Sequence, residues 1–315
     1  MKFPARFLSF LIAAVATLGL PAAAQKRDPL PVPDIPGYKT LKCDFHMHTV
    51  FSDGEVWPVT RVMEAWRDGL DAISITDHDD YRPHAEDVKK DISRPYTIAA
   101  PVARRMGILL IPGVEITRGD IHFNAVFVTE PNRFAGSDLM SALKEGRQQG
   151  AFIFWNHPGW RKKTAWFPEI AAAYDAGLFD GIELVNGPTF YADAFPWIEE
   201  KKLTILSNSD VHTPLTPQGP RPGRPVTLVF ASSADPNGIK EALKARRTAA
   251  WMGGELWGAE QYMRALWTAS VQALDGGRAL RNRSAIPFHL KVRSAPPWMT
   301  VRETNLEPES IQALR

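Results

Sequence analysis

Apolar runs alternate with stretches of helical spacing along most of the chain. Residues 41–47, 72–76, 108–112, 121–128, 151–155, 181–185, 203–207 and 226–230 read as strands. Between them, residues 58–69, 102–106, 137–149, 167–176 and 192–201 read as helices. The first helix shows the pattern: Val59, Val62, Met63 and Trp66 recur at helical spacing, Pro58 suits a first turn and Gly69 a stop. That stripe is expected to be core. Strand-then-helix repetition predicts a parallel sheet, and polar clusters at successive strand ends predict closure into a barrel with its chemistry on one rim. Past Asp235 the pattern weakens to helices over 237–247 and 260–274 and an alternating strand over 288–292. Residues 39–250 therefore read as the barrel, and 251–315 as a small C-terminal extension packed on it.

The N-terminal region has a different composition. Lys2 and Arg6 precede an apolar run over 7–20, and Ala22-Ala23-Ala24 offers a small-residue cleavage site before Gln25, so residues 1–24 read as a signal peptide. The run is shorter than the roughly 20 residues a membrane span needs. Membrane contact is expected only if this segment stays uncleaved, and the location expected is periplasmic or secreted. Residues 25–38, with Pro29, Pro31, Pro33 and Pro36, read as an extended linker. The chain carries 37 basic and 35 acidic residues; without Lys2 and Arg6 the balance is 35 to 35. A neutral body excludes a broad electrostatic surface for extended nucleic acid. Cys43 is the only cysteine, so no intramolecular disulfide forms, and it reads as a small buried side chain.

Chemistry concentrates at the strand ends. In Asp44-Phe45-His46-Met47-His48-Thr49 two imidazoles one residue apart share one face of an extended segment, and Ser52-Asp53-Gly54 follows at once. Further candidates stand in Thr76-Asp77-His78-Asp79, Gly113-Val114-Glu115, Ile121-His122-Phe123, Asn156-His157-Pro158 and Asp210-Val211-His212. Histidines and carboxylates recurring in this way suit a multi-metal site. His84 reads as a loop residue and His289 as a solvent-facing strand residue. Arg161 and Lys162, directly after the His157 motif, and Arg221 and Arg224, after His212, are candidates for holding phosphate. Trp57, Trp160 and Trp166 suit either stacking against a substrate ring or anchoring a loop.

The ordered motifs between residues 41 and 212 resemble those of the PHP family, the polymerase and histidinol phosphatase superfamily of metal-dependent phosphoesterases. The resemblance implies an α/β fold, a distorted seven-stranded β/α barrel. It implies a first metal on His46, His48, Glu115 and Asp210, a second bridged by Glu115 and held by His122 and His157, and a third on Asp53, His78 and His212. Asp53 stands where some members have histidine. Asp44 and Asp77, with Asp79 in a like role, are expected to orient imidazole N–H groups. The histidine-rich set favours two or three zinc, manganese or iron ions over magnesium. The expected activity is hydrolysis of phosphomonoesters or small phosphodiesters by hydroxide generated at that site, with Glu115, His78 and His212 closest to the chemistry. Hydrolysis of an amide or lactone, and a metal-loaded binding or scaffold module, are the alternatives.

Overall fold

A computed structural model describes residue 27 and residues 30–161, 163–216, 224–291, 293–294 and 299–314. The signal-peptide reading of residues 1–24 lies outside the described residues, as do Lys162 and Arg221. In chain order the first elements are β1 (Lys39–Asp44), α1 (Pro58–Arg67), β2 (Ala72–Ile75), α2 (Arg94–Met106), β3 (Leu109–Arg118) and β4 (Ile121–Val126). There follow α3 (Leu139–Gln148), β5 (Phe152–Trp155), α4 (Pro168–Asp175), β6 (Gly181–Asn186), β7 (Thr189–Phe190), α5 (Phe195–Lys201) and β8 (Thr204–Asn208). Then come β9 (Val226–Ala231), α6 (Pro236–Lys244), β10 (Thr248–Met252), β11 (Glu255–Gly258) and α7 (Glu260–Ser270). The chain finishes with β12 (Val271–Leu274), β13 (Ala279–Asn282), β14 (Phe288–Lys291), β15 (Glu303–Leu306) and β16 (Ile311–Ala313).

The fold is mixed α/β. Strands β2, β4, β5, β6 and β9 are buried along their whole length, as near-continuous apolar runs require when both sheet faces are covered. The main sheet runs β11-β10-β9-β1-β2-β3-β4-β5-β6-β7, with β8 paired to β6, and curls into a half-barrel. Its far edge turns back on itself through side chains: Ser207 N donates to Thr227 Oγ1 at 2.9 Å, and Thr248 Oγ1 donates to the Ile205 carbonyl at 2.8 Å. One apolar cluster joins Leu41, Cys43, Ile111, Phe152, Leu206 and Val229 with Ile239 of α6. It links strands that are not neighbours in the sheet, which a curled sheet makes possible. Cys43 is fully buried there, and burial pushes its thiol well up.

Regular strand-helix alternation is interrupted at β4 and β9, and again by the β6–β7 and β10–β11 hairpins. β4 runs antiparallel to β3, because Gly119 and Asp120 alone separate them and a parallel return needs a crossover of about a dozen residues. Gly119, at φ 62°, makes that turn. β9 runs antiparallel to β1. Two further boundaries differ from the sequence pattern. α2 starts at Arg94, well before residue 102, and the helix expected over 260–274 ends at Ser270, where Val271 is extended and pairs with Asn282.

On α1, Val62 and Ala65 are buried, but Met63 is 40% exposed, while Arg61 and Glu64 lie inside. Leu30, Val32 and Ile35, in the stretch read as a linker, pack in the core beside Ile286, and the Pro31 carbonyl accepts from Ala285 N at 2.6 Å. Residues 30–36 are thus held against the body. Beyond α7, β12, β13 and β16 form a small sheet and β14 pairs with β15, with Phe288 edge-on to Trp267 at 5.0 Å. Among the described residues no helix is long and apolar enough to cross a membrane.

Candidate metal centre

Each candidate ligand sits in or just after a strand of the curled sheet. His46 and His48 follow β1, His78 follows β2, Glu115 is in β3, His122 in β4, His157 follows β5, and Asp210 and His212 follow β8. The loops after β1 and β8 are tied together, because Asp210 N donates to the His46 carbonyl at 2.9 Å and His48 N to the Val211 carbonyl at 3.0 Å. Gly54 explains the Ser-Asp-Gly motif: a β-carbon there would sit 2.6 Å from the His48 carbonyl carbon, so only glycine lets the Asp53 loop close over His48.

Glu115 lies at the centre and is fully buried. Its Oε2 is 3.4 Å from His46 Nε2, 3.3 Å from His48 Nε2 and 3.0 Å from His78 Nδ1. Its Oε1 is 3.1 Å from His122 Nδ1 and 3.5 Å from His157 Nε2. Asp210 Oδ1 lies 3.1 and 3.0 Å from the same nitrogens of His46 and His48. Asp53 faces His212 Nε2 at 3.3 Å and His78 Nε2 at 3.6 Å. All nine candidate positions therefore join one cluster. Within it the subsets His46–His48–Asp210, His46–Glu115–His157, His78–Glu115–His122 and His48–Asp53–His78–His212 each have the reach to hold an ion. The last two place His78 and His48 at the junction of subsets that the family pattern keeps separate.

The residues fit divalent cations on their own chemistry. Asp53 Oδ1, Glu115 Oε2 and Asp210 Oδ1 are buried and face imidazole nitrogens alone, with no backbone, hydroxyl or amide donor to meet them. Buried carboxylate oxygens are costly in that state unless a cation or a donor meets them. The donors are imidazoles and carboxylates, a set that suits zinc, iron or manganese. Backbone strain collects here too, since His157 and Asp210 stand at φ 27° and 50°, in the left-handed region. Burial opposes the charged forms of His46, Asp53, His78, Glu115, Asp210 and His212, but mutual attraction prevails. Neighbouring imidazoles hold Glu115 and Asp210 well below the carboxylate range, and Glu115 with Asp53 pushes His78 up to about 11.

The supporting shell differs from the sequence expectation. Asp44 accepts from the backbone N of His46 and Ser209 and from Arg224, and Asp77 accepts from Thr49 and Ser52. Both fix loops, and neither touches an imidazole. Asp79 is spanned by Arg118, with both contacts at 2.8 Å. The imidazoles are oriented by other groups. Glu183 Oε1 is 2.8 Å from His46 Nδ1, Thr117 Oγ1 is 2.6 Å from His78 Nδ1, and the Asp210 carbonyl is 2.8 Å from His212 Nδ1. Sequence reasoning missed Glu183, although a carboxylate inside the apolar run 181–185 was a signal.

Two of the arginines proposed to hold phosphate are engaged elsewhere. Arg224 is buried in ion pairs with Asp44 at 2.5 Å and Asp68 at 3.1 Å. Arg161 lies over the Phe167 ring at 4.8 Å, with Asp120 and Glu169 within 3.8 and 3.5 Å. Trp166 packs on Trp155 and Trp197, and Trp57 on Phe51. Trp160 instead joins the candidate ligands on the wall of a cavity of about 440 Å³. His84 is exposed, and His289 is exposed between Asn305 and Glu303, as the sequence suggested.

No family model matches the chain. It is 40% identical over 79 residues to an uncharacterized protein of Methanocaldococcus jannaschii, a match that covers 24% of this chain and 34% of that protein's length. Among solved structures, it is similar to a two-domain protein from Bacteroides vulgatus that contains a predicted PHP-like metal-dependent phosphoesterase. That likeness has a TM-score of 0.86 and 40% identity, and it covers 93% of this chain and 90% of that one. With that identity over nine tenths of both chains, and with the candidate ligands gathered in one cluster, the chain belongs to the PHP-like family of metal-dependent phosphoesterases.

Proposed function

We propose that this protein hydrolyses small phosphomonoesters or phosphodiesters at a centre of two or three zinc, manganese or iron ions, and that it acts outside the cytoplasm. The location rests on the leader-like composition of residues 1–24. The observation that carries the chemistry is the division of Glu115, whose two oxygens face separate imidazole sets. A carboxylate so placed would bridge two cations and lower their mutual repulsion. His46, His48 and Asp210 would complete one position, His122 and His157 a second, and Asp53, His78 and His212 a third.

Bound cations supply Lewis acidity, which polarises phosphoryl oxygens and makes a water acidic enough to attack at neutral pH. The protein's own part is positional. Thr117 fixes the ring of His78, Glu183 fixes that of His46, and Gly54 lets the Asp53 loop close. As ligands, His78 and His212 would be poor acids, their remaining N–H groups being directed at Thr117 and the Asp210 carbonyl, so the leaving oxygen would take its proton from solvent at the open cavity mouth.

Elemental analysis of the purified chain, run beside hydrolysis of phenyl phosphate, tests this reading for wild type and Glu115→Ala. Two or three equivalents of metal in wild type, with both metal and turnover lost in the variant, is the expected result. A wild type that stays metal-free after reconstitution overturns it. Among the described residues the cavity wall has no arginine or lysine, which keeps amide or lactone hydrolysis as a second reading. Stoichiometric metal with amide or lactone cleavage and no phosphate release would favour that one.

A further inference from the structure

Two of the most exposed large apolar side chains among the described residues stand on the wall of the metal cavity: Trp160, 63% exposed, and Tyr81, 54% exposed. They come from different loops, Tyr81 from the one after β2 and Trp160 from the one after β5. Each is set against candidate ligands. The Trp160 indole lies 5.5 Å from the His157 ring and 6.2 Å from the His122 ring, and Tyr81 meets the His78 ring edge-on at 5.9 Å.

The two aromatics thus flank the cluster from the His122–His157 side and the His78 side. Trp160 is held in place locally, since its N donates to the His157 carbonyl at 2.9 Å. Tight packing of the preceding residue adds to this, because a β-carbon on Gly159 would come within 2.6 Å of the Tyr191 ring. Large apolar rings left exposed beside a polar centre mark a surface that meets an apolar ligand. Flat rings favour a flat partner, through offset stacking or edge contact.

We propose that Trp160 and Tyr81 form a stacking rim that selects phosphoesters whose alcohol side carries a planar aromatic group. The inference rests on the phosphoesterase reading and names the substrate class for that same site. Phosphate oxygens face the carboxylate–imidazole cluster, and the aromatic group lies against the indole at the mouth.

Hydrolysis rates alone would confuse stacking with leaving-group chemistry, so the test is binding of non-hydrolysable phosphonates to the metal-reconstituted full chain. Titration calorimetry would compare phenylphosphonate with methylphosphonate. Wild type is expected to favour the phenyl compound by roughly tenfold to a hundredfold, the range that ring stacking commonly contributes. Trp160→Ala and Tyr81→Ala should each bring that ratio towards one with metal content retained, and Trp160→Phe should restore most of it. Equal affinities in wild type, or a ratio that survives both truncations, would overturn the rim. Hydrolysis of phenyl phosphate by wild type is scored separately. Turnover without phenyl preference sinks the rim and leaves the phosphoesterase, whereas phenyl preference without turnover on any phosphate ester leaves the rim and sinks the phosphoesterase.

Discussion

Glu183 shows what a single buried carboxylate does in this molecule. It is fully buried, and it accepts from Asn208 Nδ2 at 3.0 Å, Asn186 Nδ2 at 2.8 Å and the His157 backbone N at 2.8 Å, besides facing His46 Nδ1. With Nδ1 committed to Glu183, the Nε2 of His46 is the nitrogen left facing Glu115 and Asp210. Glu183→Gln keeps the shape but weakens the hold on the tautomer. Metal affinity should fall by roughly 10- to 100-fold, read by competition against a chelator of known affinity. Unchanged affinity would mean that His46 is positioned by packing alone. Residues such as His46 and His48 were legible because their neighbours in sequence are also their neighbours in the site. Glu183 meets His46 across 137 positions, which no local spacing reveals.

At the scale of elements, α1 acts as a clamp between the loops that carry the candidate ligands. Arg61 donates to the carbonyls of His48, Val211, His212 and Thr213, and pairs with Glu64 at 2.7 Å. Glu64 in turn accepts from Leu215 N at 2.7 Å. An exposed i,i+3 pair of this kind on a helix surface is worth a few tenths of a kcal/mol. Buried, Arg61 and Glu64 tie the loop after β1 to the loop after β8. Arg61→Met should cost about 3–5 kcal/mol, because it strands the Glu64 carboxylate and leaves several carbonyls without a donor. Chemical denaturation of the metal-free protein checks this, and a loss under about 1 kcal/mol, the surface-pair value, would refute the clamp.

The whole molecule stores opposed charges in one buried cluster, and that sets how stability depends on pH. His78 is raised from 6.5 to about 11, so in metal-free protein its contribution is complete below pH 6.5 and is lost as pH climbs towards 11. His46 and His212 are shifted in the same direction. Glu115 and Asp210 are lowered from 4.5 and 3.8, so theirs is complete above about pH 4.5 and is lost on acidification. Metal-free protein should therefore be most stable between about pH 4.5 and 6.5 and weaken towards about pH 9. Cations require neutral imidazoles, so the stabilisation they add should grow over that alkaline range. Thermal unfolding with and without chelator measures the difference, and a gap that narrows with rising pH would contradict the cluster's role.

The sequence by itself determined most of the strands up to β9, the order of the motifs and the identity of the candidate ligands. Alternation and motif spacing are properties of neighbouring residues, and they survive in a one-dimensional reading. Tertiary structure decided the rest. It set β9 antiparallel to β1, split the oxygens of Glu115 between imidazole sets, and buried Arg61 and Glu183. It also buried Arg224 in an ion pair with Asp44 across 180 positions. The physical reason is the same in each case. A side chain's burial and partner depend on which distant strand ends the curled sheet brings together, and the period of the local sequence carries no record of that.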